Sequence, residues 1–135
     1  MKPKKSNWFH RYLPHKMADF DAIEVHVQVY YAPEEGHIVA FCPSLDLVGS
    51  GKTEQEAEAS ISIVIDEYFR YTTNKKTLYD DLKEHGWTIH KTGSKFYATA
   101  PAEADVVERI PEFGEMLASK NYRVEQRPIS IPVFA

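Results

Sequence analysis

Cysteine is almost missing from this chain: Cys42 is the only one among 135 residues. An intrachain disulfide is therefore impossible, and a thiolate cage for a metal is excluded. No apolar run approaches the roughly 18 residues that would span a bilayer. The first residues lack the apolar stretch and small-residue cleavage site of a secretory signal. These features make a cytoplasmic protein the expectation, with no membrane contact. What is present is ordinary for a folded domain: 43% hydrophobic and 27% charged residues, at a length that supports one core without staples.

The net charge of −4 conceals an asymmetry. Lys2, Lys4, Lys5, Arg11 and Lys16 make residues 1–17 uniformly basic. Taking those five from the 16 basic side chains leaves 11 against 20 acidic ones, a balance of −9 for the remainder. An acidic body repels phosphate backbones and suits a basic partner, so no specific nucleic-acid binding is expected of it. Residues 1–17 read as a disordered leader, or else as an arm that docks Trp8, Phe9, Tyr12 and Leu13 on a partner. Residues 18–135 read as a single domain.

Ile23, Val25, Val27, Val29 and Tyr31 alternate with polar neighbours, the period of a half-buried strand. Residues 32–36 form the expected turn. His37–Cys42 is the return strand, with Ala40 and Cys42 on one face and Phe41 on the other, and Leu45–Val48 a third. Thr53 and Glu56 make a capping box, ahead of an apolar stripe of Ala57, Ile61, Val64, Ile65, Tyr68 and Thr72. A short helix from Thr77 stops at Gly86. Two strands flank Thr92-Gly93-Ser94. Helix follows to Lys120, restarted at Pro111. The last extended pieces, residues 122–127 and 129–133, are held to a sheet edge by Pro128 and Pro132. The fold class is α+β: an antiparallel sheet with a βββα core over residues 23–72, a long helix on one face, and a C-terminal ββαβ extension over 73–135.

Candidate chemistry is sparse. Gly51-Lys52-Thr53 resembles the end of a phosphate loop, but Asp46 stands where the first glycine is needed. His10, His15, His26, His37, His85 and His90 show no zinc-site spacing, so neither metal nor cofactor is expected. Cys42 with His37 or His26 is a conceivable nucleophile pair that nothing orients. The carboxylate pairs Glu34-Glu35 and Asp80-Asp81 fall where solvated charge usually sits. An aromatic groove of Tyr30, Tyr31, Phe41, Tyr68 and Tyr71 would serve a small ligand or a hydrolytic reaction.

The string Cys42 to Ala57, after Tyr30-Tyr31 and the Glu34-Glu35-Gly36 turn, resembles the HicB family of antitoxins. Pro43, Leu45, Gly51, Thr53, Glu56 and Ala57 match its P-x-L…G-x-T-x-E-E-A pattern, while Leu47 and Gln55 stand where the family often has Gly and Glu. The resemblance implies a truncated ribonuclease-H-like layer without catalytic carboxylates. It also implies a non-enzymatic binder that neutralises a small, basic, mRNA-cleaving toxin. Residues 102–135 offer no DNA-reading module of the sort most members carry. Ser44, Leu45 and Asp46 are the expected partner contacts, and a homo-oligomer is expected.

Overall fold

The computed structural model describes residues 21–93 and 95–134, so the basic leader lies outside the described residues. Strand β1 spans Asp21–Glu34 and β2 spans His37–Cys42. Glu35 and Gly36 join them with φ of 48° and 82°, the doubly positive geometry that matches the twist of a two-residue hairpin. The turn is thus shorter than the five residues expected. Pro33 is inside the strand opposite Ile38. Its missing N–H costs nothing, because the strand on its other side pairs only as far as Tyr31.

Strand β3 covers Leu47–Gly51, two residues later than expected at its start. The displacement comes from a turn at Pro43–Asp46. There the Leu45 N–H donates to the Cys42 carbonyl and Asp46 N–H to that of Pro43, each at 3.2 Å, with Asp46 at φ 55°. Gly49 and Gly51 lie in the strand where helix α1, Glu54–Lys75, presses on it. A Cβ on Gly49 would come within 2.6 Å of the Ile61 nitrogen, and one on Gly51 would collide with the Cβ of Glu56.

The capping box is present. Thr53 Oγ1 accepts from the Glu56 N–H at 3.1 Å, and Glu56 Oε1 accepts from the Lys52 N–H at 2.8 Å. Helix α1 buries Ala57, Ile61, Ile65, Phe69, Thr72 and Thr73. Phe69 is the deepest aromatic of the helix, whereas Val64 and Tyr68 only flank the core. The buried Thr72 hydroxyl donates to the Tyr68 carbonyl at 2.8 Å. Lys76 in the left-handed region ends the helix. Helix α2, Leu78–Glu84, follows, and Gly86 at φ 94° turns the chain out of it.

Strands β4, Thr88–Thr92, and β5, Lys95–Thr99, pair only with each other. Helices α3, Glu103–Arg109, and α4, Pro111–Ser119, come next, with Pro111 opening α4 as expected. Strand β6 is one continuous element, Arg123–Val133, and not two pieces. It runs antiparallel to β1 from Asp21↔Val133 to Tyr31↔Arg123, giving the sheet order β3-β2-β1-β6. The C-terminal segment therefore completes the chain's own main sheet. The architecture is α+β with an antiparallel four-stranded sheet.

Pairing parity decides which main-chain groups are used where. A two-residue hairpin bonds Glu34 to His37, so even-numbered residues of β1 turn toward β2 and odd-numbered ones toward β6. On β6 the even-numbered positions then face the outer edge, and Pro128 and Pro132 are both even. Two potential donors are thereby removed from that edge. The edge is capped further where the Tyr79 hydroxyl donates to the Pro132 carbonyl.

Both faces of the sheet are covered. On the first, α1, α2 and the β4–β5 pair enclose Val27, Val29, Tyr31, Ala40, Cys42, Leu45 and Ile129. Arg123 seals its margin, stacked 4.4 Å from the Tyr31 ring and bonded to Glu54 at 2.9 Å. On the second face, α3 and α4 lay Val106 and Phe113 over Tyr30 and Phe41. Strand β2 pairs with Tyr30–Glu34 alone, so that side of β1 has no strand paired with it from Ala22 to Val29 among the described residues. The chain uses this gap: Ala100 packs on the first core and Val106 on the second, so the link through Pro101 crosses the sheet plane there. No helix among the described residues is long and apolar enough to cross a membrane.

Candidate functional site

The crossing leaves a groove of about 420 Å³ on the second face, between the open side of β1, the Pro43–Ser44 turn and the start of α3. Its floor is aromatic. The rings of Tyr30 and Phe113 meet edge to face at 5.0 Å, and Tyr122 tilts against Tyr30 at 5.5 Å. Its polar groups come from four distant segments: His26, Gln28 and Tyr30 on β1, Ser44 on the turn, Glu103 on α3 and Gln126 on β6.

Tyr30 organises them. Its hydroxyl lies 2.8 Å from Gln28 Oε1 and 3.2 Å from Glu103 Oε2. Burial, and then the adjacent Glu103 carboxylate, push the phenol up to about 12. It is therefore a neutral donor at physiological pH. One phenolic proton faces two oxygens, so Glu103 keeps lone pairs for a further donor.

The expected contact residues divide. Ser44 borders the groove, and its carbonyl accepts the Trp87 indole N–H at 2.8 Å. Asp46 is exposed on the turn. Leu45 is not available: it is 1% exposed, because the turn folds its side chain under α1 into the first core. The matched positions Pro43, Leu45, Gly51, Thr53, Glu56 and Ala57 all fall at the corner joining β2, β3 and α1, where each has a packing or capping role.

Other candidates are corrected by geometry. Tyr30 and Phe41 belong to the second core and Tyr31 and Tyr68 to the first, while Tyr71 is 63% exposed on α1. They line no common groove, because adjacent strand residues point to opposite faces. Cys42 is fully buried, and burial pushes its thiol up to about 11, so no thiolate is presented. His26 stands on the opposite face beside Glu24 at 3.6 Å, and His37 Nδ1 lies 3.1 Å from the Glu35 carbonyl. Neither reaches the sulfur as a base. Asp81 accepts the Tyr68 hydroxyl and approaches His85 at 3.4 Å, which ties α2 to α1. Among the described residues no three metal-ligating side chains converge.

Sequence reasoning passed over Gln28, Glu103 and Gln126. They are brought together only by β1–β6 pairing and the crossing, and no local pattern marks them. The chain matches no protein-family model, no curated protein and no solved structure.

Proposed function

We propose that this chain is a non-enzymatic cytoplasmic binding protein resembling HicB antitoxins, which sequesters a small, basic, mRNA-cleaving toxin. The observation that carries the reading is the β2–β3–α1 corner. Pro43 opens the turn, Thr53 and Glu56 cap the helix, and Gly51 admits the helix backbone around Ala57. The six matched residues lie together at this corner, which supports the reading. The charge balance of −9 beyond the leader supports a basic partner. Ser44 and Asp46 are the contacts this turn can offer, since Leu45 is spent on the core.

Co-expression with a small basic toxin from the same source tests the proposal. Growth should be relieved, and a complex should be recovered whose association slows as salt rises. Asp46→Lys should weaken that complex without changing the melting temperature, because Asp46 is exposed. Unrelieved growth arrest with no complex at low salt would leave the architectural likeness without its function.

A further inference from the structure

We infer that the groove between β1 and α3 receives an arginine side chain from the basic partner. The inference rests on the reading above and adds the chemistry of recognition. The groove lining contains one carboxylate, Glu103, and neither lysine nor arginine. A cation is therefore favoured there and an anion is not. Oxygen acceptors surround the space: Glu103 with unfilled lone pairs, the Gln28 and Gln126 amides, and the Tyr30 hydroxyl. A planar guanidinium with five donors meets several separated acceptors at once, whereas an ammonium is a compact point charge. The Tyr30 and Phe113 rings, both at the groove lining, provide an apolar wall for the methylene stem.

The test is an NMR titration of the full chain with N-acetyl-arginine N-methylamide, and with the citrulline analogue as its neutral counterpart. Saturable shifts at the Gln28, Gln126 and Glu103 amides are expected with arginine. About tenfold weaker binding is expected for citrulline, and for arginine with Glu103→Gln, the size of one lost charge-assisted hydrogen bond. Glu103 is exposed, so an unchanged melting temperature confirms that the variant is folded. Equal binding of the two probes, or arginine binding indifferent to Glu103→Gln, overturns the inference. A tenfold gain in arginine affinity in the Arg11→Gln chain would make the chain's own basic segment the occupant, and would overturn a partner arginine. A toxin complex that Glu103→Gln leaves at full affinity would remove the groove from recognition while leaving the toxin pairing standing.

Discussion

Gly49 of β3 sits directly beneath the backbone of Ile61 in α1, so close that a methyl group there would lie 2.6 Å from the Ile61 nitrogen. The obstacle is main chain, which cannot rotate aside. Gly49→Ala must push the helix off the sheet at the point where Ile61 is buried. A loss of about 1–3 kcal/mol in urea unfolding is expected, as for other overpacked cores. Gly36→Ala separates this from a loss of backbone freedom, because Gly36 at φ 82° has nothing within 4 Å of an added Cβ.

The register of α1 makes a paired prediction. Phe69 is 1% exposed and Tyr71, two residues on, is 63% exposed. Phe69→Ala should cost about 3–5 kcal/mol, and Tyr71→Ala should stay within about 0.5 kcal/mol. Thermal or denaturant unfolding of the two variants checks the helix's rotation about its axis, and comparable losses would contradict it.

Where the sequence was legible, a single local rule governed the residues. Alternation from Ile23 to Tyr31 marks β1, Thr53 with Glu56 marks the start of α1, and Pro111 marks the start of α4. Errors arose where two rules competed. Pro33 reads as a turn former but is tolerated in β1 because no β6 residue lies opposite it. Gly49 and Gly51 answer to a helix packed across them, which no neighbouring residue signals. The apolar spacing of α1 runs through Tyr68, while the helix rotates to bury Phe69 and leaves the Tyr68 hydroxyl for Asp81. The groove was illegible in principle, since Tyr30 meets Glu103 only once the chain has crossed the sheet.

Alkaline stability should report on Cys42. Burial raises its thiol from 9.0 to about 11, so the folded state holds a proton that the unfolded state releases earlier. The associated stability is fully present below pH 9 and is lost as pH rises through about 11. Cys42→Ala should lessen the fall in melting temperature between those values, the remainder coming from buried phenols such as Tyr30 that are likewise pushed up. The native thiol should also react slowly with a disulfide reagent at pH 8, at a rate set by unfolding. Immediate stoichiometric labelling of folded protein would contradict its burial.

Pro128 is expected to act against self-association. It withholds a donor from the outer edge of β6, opposite His26 on the paired side. Pro128→Val restores an N–H on that edge and adds a residue that favours strands. Light scattering at rising concentration should show more association for the variant than for the parent, most clearly at high salt where acidic repulsion is screened.

The pairing of Asp21 with Val133 has a consequence for how the molecule is made. Strand β1 leaves the ribosome before β6, and its odd-numbered main-chain groups from Asp21 to Tyr31 have no strand partner until β6 emerges. The hairpin, β3 and α1 can assemble early from near neighbours, so one flank of the central strand waits while the rest of the chain is translated. Such long-range closure slows folding, and an exposed strand flank invites wrong pairing meanwhile. A nascent chain stalled before Arg123 is thus a species with a ready-made docking edge. Release of the eleven residues of β6 withdraws it.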